Sequence, residues 1–345
     1  MFEVWGLMNL KIKKRVKDIF SSRIITKVAA DLLPSTVAVL LYHDLSEDDD
    51  FSSWMRVKKT AFELQMSQLR GICNFIHPPD LFQKDAFTKN RLNVLLTFDD
   101  GFVNQYTLGL PVLRKFKIPA LFFVSTENIE SGDIFWFDRI VTPIQALGID
   151  KLDLQHLGLK NYHFFSLNGA KRWNDIQVLL QDIKAKGNDT SPDVRRIINY
   201  FGDSFPDIME QIPFKYRPLN KAEILEMKST KLCYFGSHSH RHEILTYLKE
   251  DDIKANLVKS KHFLEGLLGE PIAHFSYPNG NSNSRVIALC KETGYKYGYL
   301  ASPGLLKRNT FPMSIPRITV SGYDTIESIL WKINREYVKS LGKFS

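Results

Sequence analysis

Short apolar runs alternate with longer amphipathic stretches along most of this chain. The short runs predict strands, and apolar residues at three- and four-residue spacing predict helices between them. Strands that alternate with helices pair in parallel, which limits the fold to a (β/α) barrel or an open α/β sheet. The predicted strands are residues 37–42, 94–98, 120–124, 232–235, 274–277, 297–301 and 317–320.

The predicted helices lie between these strands, at residues 61–69, 110–116, 221–228, 250–268 and 284–293. The regular pattern of strands is lost between Phe135 and Pro218, where residues 173–186 and 193–200 have helical patterns. We therefore predict a mostly helical insertion at about 136–220. Long insertions of this kind often shape a binding site.

Two distant motifs carry groups suited to metal chemistry. Thr97-Phe98-Asp99-Asp100-Gly101 follows one predicted strand, and His238-Ser239-His240-Arg241-His242 follows another. One Asp and two His make a three-ligand metal site with an open position, and the second Asp can act as a base. His238 and His242 face the same side of a helical turn, so His240 should point elsewhere. The alternative is an Asp-Asp turn capped by Gly101.

The same motifs resemble those of the polysaccharide deacetylases, the fourth carbohydrate esterase family. Further matching blocks are Leu41-Tyr42-His43-Asp44, Phe275-Ser276-Tyr277-Pro278-Asn279-Gly280 and Ile315-Pro316-Arg317-Ile318, and together they span residues 36–322. The resemblance implies an α/β fold of this family's type, a distorted and incomplete (β/α) barrel. It also implies a metal-dependent hydrolase that removes an acetyl group from an N-acetylated sugar.

Residue roles follow from this resemblance. Asp99 is expected to be the general base, and Asp100 a metal ligand with His238 and His242. Zinc suits these donors, although Co²⁺, Ni²⁺ or Fe²⁺ would also accept them. Tyr277 is expected to supply a backbone donor for the oxyanion and a pocket wall. Its alternative is a strand end broken by Pro278.

The sequence departs from the family in its general acid. Many members carry a late Leu-x-His, whereas no histidine follows His274 here. His43, at the end of the first predicted strand, is the candidate for this role. The alternative is a structural histidine at a strand end.

Three further residues are candidates on the substrate side. Trp136 and Asp138 resemble a patch in deacetylases of cell-surface glycan synthesis, since an aromatic face beside a carboxylate suits a sugar ring. The alternative is an aromatic stretch of the core. Arg317 is predicted to orient Asp99 through a charge-assisted bond, with an ordinary ion pair as the alternative.

The first 35 residues are predicted to form a basic amphipathic segment before a catalytic domain at 36–345. Its cations contribute to the net charge of +8 and alternate with apolar residues. Such a helix could bind an anionic membrane surface or cap the domain. There is no motif for nucleic-acid recognition, no apolar run of about 20 residues and no signal-peptide pattern at the N-terminus. We expect a cytoplasmic protein, peripheral at the inner membrane face if the helix binds there, with a lipid- or nucleotide-linked sugar as its partner.

Other functions remain open on sequence alone. A deformylase would use the same site on an N-formyl sugar, and a catalytically inactive glycan-binding protein could keep the barrel. A metalloprotease is disfavoured because the chain has no His-Glu-x-x-His helix. The identity of the sugar, the native metal and the oligomeric state are not specified by these motifs.

Overall fold

The structure, a computed structural model, describes residues 36–47, 54–83, 91–165, 170–187 and 191–341. The predicted amphipathic segment at 1–35 lies outside these residues, so its helix and the domain boundary at 35 remain predictions. Among the described helices, none is both long and apolar enough to cross a membrane.

Twelve strands are present in the described residues, and eight of them form one parallel sheet that curls into a half-barrel. The sheet order is β11-β10-β9-β6-β5-β1-β12, and β4 pairs with the first half of β5. This is the incomplete (β/α) barrel that the sequence predicts. The strands are β1 (Val37–Tyr42), β2 (Asp44–Ser46), β3 (Arg56–Lys58), β4 (Cys73–Phe75), β5 (Leu92–Phe98), β6 (Ala120–Val124), β7 (Lys151–Asp153), β8 (Asn161–His163), β9 (Cys233–Ser237), β10 (His274–Ser276), β11 (Tyr297–Tyr299) and β12 (Ile318–Thr319).

Eleven α-helices accompany the strands within the same described ranges. They are α1 (Lys59–Ile72), α2 (Leu110–Phe116), α3 (Thr126–Ser131), α4 (Trp136–Ala146), α5 (Ala170–Lys184), α6 (Pro192–Ser204), α7 (Pro206–Tyr216), α8 (Lys221–Ser229), α9 (Glu250–Leu268), α10 (Ser284–Glu292) and α11 (Ile326–Leu341). Helices α2 and α9 have the predicted bounds. Helices α4 and α7 were not predicted individually, because Pro143 and Pro213 interrupt their patterns, as a proline normally interrupts a helix.

Burial explains the strand pattern. Every residue of β1 and β5 is buried, since a parallel strand in a barrel packs on both faces. The chain leaves the sheet after β6 and rejoins it at β9, which pairs directly with β6. Residues 136–216, between these strands, are called the inserted segment below. They hold a hydrophobic cluster of their own, to which α4, α5 and α6 contribute Ile140, Ile176 and Phe201.

Candidate metal centre and active site

The two predicted motifs meet at the carboxyl ends of β5 and β9. Asp100 and Gly101 have φ angles of 73° and 83°, so the chain turns sharply after β5. A Cβ at Gly101 would lie 2.8 Å from the Val124 side chain, which explains why this position is glycine. The turn brings the Asp100 carboxylate towards the loop that follows β9.

Asp100, His238 and His242 form a group whose ligand atoms all lie within 4.8 Å of one another. Asp100 Oδ1 is 3.3 Å from His238 Nε2 and 3.1 Å from His242 Nε2. This buried oxygen has no hydrogen-bond partner in the described part of the chain. Three donor atoms that converge without bonding one another are arranged as a divalent cation requires.

The second nitrogen of His238 is held by the backbone. His238 Nδ1 lies 2.8 Å from the carbonyl oxygen of Ser276, so the ring donates there and leaves Nε2 free for an ion. His240 points away, with its Nδ1 2.9 Å from Thr126 Oγ1. The predicted helical turn is absent from these described residues, however, because Ser239 and His242 have φ angles of 67° and 56°. The structure therefore brings together the three predicted ligands and keeps His240 apart from them.

Asp99 lies beside this group and is held by two side chains. Arg317 donates to both of its oxygens, at 2.6 Å and 2.7 Å, and Ser276 Oγ donates to Oδ2 at 3.1 Å. Burial acts to raise the pKa of Asp99, but the Arg317 guanidinium and the His238 ring outweigh it, so the pKa is lowered. Arg317 is itself buried and contacts Asp99, so its position is that of an orienting residue.

A cavity of about 380 Å³ opens onto both groups. Its wall includes three of the other predicted site residues, His43, Trp136 and Asp138. The buried Nδ1 of His43 has no hydrogen-bond partner among the described residues, and burial lowers the pKa of this ring. The inserted segment supplies a large part of the wall through α4 and α5.

A second polar group lies in the cavity wall, around Arg56. Its Nε donates to Asp44 Oδ2 at 2.6 Å and its Nη2 to Asp138 Oδ1 at 3.3 Å. Within the described ranges, Asp138 Oδ2 is buried without a hydrogen-bond partner. Burial raises the pKa of Asp138 to about 8, because the shared guanidinium does not offset it and the charge of Asp44 adds to it.

Tyr277 does not lie where the sequence interpretation put it. Its backbone N–H donates to Tyr299 O at 3.2 Å, and its hydroxyl donates to Met313 O at 3.0 Å. Both groups point into the barrel wall, so the interpretation of Tyr277 as oxyanion donor and pocket wall needs correction. Strand β10 ends at Ser276, and it is Asn279 and Gly280, just beyond Pro278, that line the cavity.

Sequence reasoning missed the parts played by Ser276, Asp44 and Arg56. Ser276 and Asp44 belong to the family-like motifs at residues 275–280 and 41–44. Ser276 ends a barrel strand and Asp44 follows one, so their position at the carboxyl edge could have indicated a part in the site. Arg56 lies on the short strand β3, which pairs with β2 in a separate two-stranded sheet. No motif marks that strand in the sequence.

Comparisons with known proteins identify a family and related sequences. A family model described as polysaccharide deacetylase matches residues 88–298. The chain is 25% identical over 155 residues to the poly-β-1,6-N-acetyl-D-glucosamine N-deacetylase of Staphylococcus epidermidis. It is 29% identical over 100 residues to YxkH of Bacillus subtilis, which is named after the same family. The matches cover 44% and 28% of this chain, and 49% and 34% of those relatives' lengths.

Solved structures share the fold. The Streptococcus pyogenes deacetylase PplD, in complex with acetate, has a TM-score of 0.57 at 17% identity, covering 87% of this chain and 98% of that one. IcaB from Ammonifex degensii has a TM-score of 0.56 at 17% identity, with the same coverage. At this identity the similarity is one of fold.

Proposed function

Because this chain belongs to the polysaccharide deacetylase family, we propose that it removes the acetyl group from an N-acetylated sugar of a cell-surface glycan or its precursor. One observation carries the proposal: the convergent Asp100, His238 and His242 lie beside an arginine-held Asp99 at a cavity. The reaction consumes water and an amide, and it yields acetate and the free amino sugar.

The residues Asp100, His238 and His242 would hold a divalent metal ion, with zinc as the first candidate. When bound, such an ion lowers the pKa of water and polarises the acyl oxygen. The Ser276 carbonyl keeps the His238 ring in the orientation that this requires.

Asp99 is proposed to take the proton from the attacking water while the water oxygen bonds to the acyl carbon. With its pKa kept low by Arg317 and His238, Asp99 is ionised at neutral pH, which is the form that accepts a proton. Arg317 and Ser276 fix both of its oxygens, which limits Asp99 to one orientation.

The leaving amine needs a proton, which His43 is proposed to supply. It lies in the cavity wall with a buried and unpartnered Nδ1 among the described residues. As the C–N bond breaks, the proton would pass from the ring to the amine nitrogen. His43 would then recover the proton that Asp99 took from the water, which returns both groups to their starting states as acetate and amine leave.

The sugar ring is proposed to lie against Trp136 and to bond through a hydroxyl to Asp138. The indole and the carboxyl both line the cavity, and the free Oδ2 of Asp138 needs a partner. The resemblance to the Staphylococcus epidermidis N-deacetylase supports a polymer of N-acetylglucosamine as one substrate candidate. A lipid- or nucleotide-linked sugar is the other, supported by the basic amphipathic pattern at residues 1–35, which would hold a cytoplasmic protein at the inner membrane face.

The test is release of acetate and of formate by the metal-loaded protein. The panel holds polymeric, lipid-linked and nucleotide-linked N-acetyl sugars, with N-formyl counterparts. Acetate release that falls about 10²- to 10⁴-fold in Asp99→Asn, with metal content unchanged, is the expected result.

Other outcomes would point elsewhere. Release of formate alone would identify a deformylase. Binding of a glycan with metal present but no release would identify an inactive glycan-binding protein. Unchanged activity in Asp99→Asn would remove Asp99 from the role of base.

A further inference from the structure

Helix α5 of the inserted segment turns one face towards the cavity. Its cavity-lining residues are Trp173, Gln177, Leu180 and Lys184, at the three- and four-residue spacing of a single helix face. Lys184 is the last residue of the helix. The inserted segment therefore brings an ammonium group to the cavity wall.

The Lys184 ammonium meets the segment that follows β10. Lys184 Nζ donates to Asn279 Oδ1 at 2.7 Å. Asn279 Nδ2 donates to Asn281 Oδ1 at 2.6 Å, which orients the Asn279 amide with its oxygen towards the lysine. Lys184 is half-buried and its bond to Asn279 is exposed to solvent, and burial lowers the pKa of its ammonium against the opposing charge of Asp100.

The segment 276–280 is also in contact with the proposed catalytic groups. Ser276 donates to Asp99 through its hydroxyl and accepts from His238 through its carbonyl. Three residues later the chain turns at Asn279, whose φ is 57°, and Gly280, whose φ is 74°. This turn is tight, because a Cβ at Gly280 would lie 2.6 Å from the Ala301 Cβ.

We propose that Lys184 is a positioning residue for the deacetylation. Its bond to Asn279 ties the inserted segment to residues 276–280, whose first member holds both the proposed base and a metal ligand. The inference rests on the proposed function, and it assigns the inserted segment a part in holding the active site in addition to forming a cavity wall.

Lys184→Met removes the donor and keeps the length of the side chain. We expect kcat to fall about two- to tenfold, the equivalent of one hydrogen bond, with KM unchanged within about twofold. Lys184→Arg should restore kcat because a guanidinium can also donate. Asn279→Ala should cause at least as large a fall, because it also removes the bond to Asn281 and puts alanine at a φ of 57°, and adding Lys184→Met to it should cause no further loss.

Lys186→Met is the matched control. Lys186 lies two residues further along, with its ammonium next to Gly158 rather than in the cavity wall. This variant should keep wild-type kcat, and both methionine variants should keep the wild-type Tm.

A second measurement does not depend on activity. Hydrogen exchange at Gly280 and Asn281, whose N–H groups bond to Tyr277 O and Pro278 O, reports opening of the turn. Exchange there should be about two- to tenfold faster in Lys184→Met and unchanged in Lys186→Met.

The outcomes separate the two proposals. If exchange is faster in Lys184→Met but the wild-type protein releases no acyl group, the proposed function is refuted and the bond between the inserted segment and residues 276–280 stands. Unchanged exchange, or a rise in KM with kcat intact, would overturn the positioning role of Lys184.

Discussion

The cavity wall contains three buried carboxylates that face one of two arginines, and the two arginines differ in how they are shared. Arg317 gives both terminal nitrogens to Asp99, whose pKa is lowered. Arg56 divides its guanidinium between Asp44 and Asp138, and the pKa of Asp138 is raised to about 8. Residue type and burial are the same on both sides. The neighbouring charges differ: Asp99 has Arg317 and His238 beside it, whereas Asp138 shares Arg56 with Asp44 and lies near the charge of Asp44.

This difference matches the two proposed roles. The Asp99 side keeps a fixed negative charge at neutral pH, as a base needs. The Asp138 side keeps a carboxyl that carries a proton up to about pH 8 and has one oxygen without a partner in the described residues. A neutral carboxyl can both donate to and accept from a sugar hydroxyl.

The largest expected effect comes from a lost metal ligand on the Asp99 side. His238→Ala should abolish activity and weaken metal binding by more than the 10- to 100-fold typical of an outer partner of a metal ligand. Metal content after dialysis and acetate release would be measured together. His240→Ala is the control from the same loop, and it should keep both. Retention of stoichiometric metal in His238→Ala would show that the ion is not held there.

The arginines allow a direct comparison of the two sides. Arg317→Met leaves Asp99 buried without its cation, so the free energy of unfolding should fall by about 3–5 kcal/mol. Arg56→Met should lower the free energy of unfolding by less at pH 6. Asp138, with a pKa of about 8, already carries a proton at that pH, and Asp44, with a pKa of about 6, gains one with little loss of free energy. Urea unfolding of both variants measures this. An equal loss of unfolding free energy in the two variants would mean that Asp99 and Asp138 do not differ in charge.

A third expected effect is a change in the pH dependence of stability. The pKa of Asp138 is about 8 in the folded protein against 3.8 for an ordinary Asp, so the folded state holds an extra proton between these values. Its contribution to the free energy of unfolding should therefore decline as pH rises from about 4 to about 8.

Asp138→Asn removes that contribution. The stability of the variant relative to wild type should increase steadily over the same pH range, as measured by urea unfolding at several pH values. A constant difference would show that Asp138 is ionised throughout and that the comparison with Asp99 fails.

Much of the barrel could be predicted from the sequence. Strand β1 and helices α2 and α9 have the predicted bounds, because a buried parallel strand is a short continuous apolar run and an amphipathic helix has apolar residues at three- and four-residue spacing. The inserted segment was predicted only as mostly helical. Its helices α4 and α7 contain internal prolines, and its small sheet β7–β8 has three-residue strands that are too short for a periodic signal.

The site divides in the same way. Asp99, Asp100, His238 and His242 lie together as the motifs predict, since strand ends of a parallel barrel share one edge. Tyr277 was misplaced because the sequence does not show on which residue β10 ends. Successive residues of a strand point to opposite faces, so a strand end that differs by one residue changes which side chain faces the cavity and which packs into the barrel wall.

The sequence by itself determined the alternation of parallel strands with helices and the position of Asp100, His238 and His242 after strand ends, because both are local patterns, while the barrel type followed from the family resemblance. Only the tertiary structure decided which arginine serves which carboxylate and which residue of the inserted segment reaches the site. Arg317 meets Asp99 across 218 positions, and Lys184 meets Asn279 across 95. Such contacts depend on how helices and strands pack, and no periodic signal in the chain encodes them.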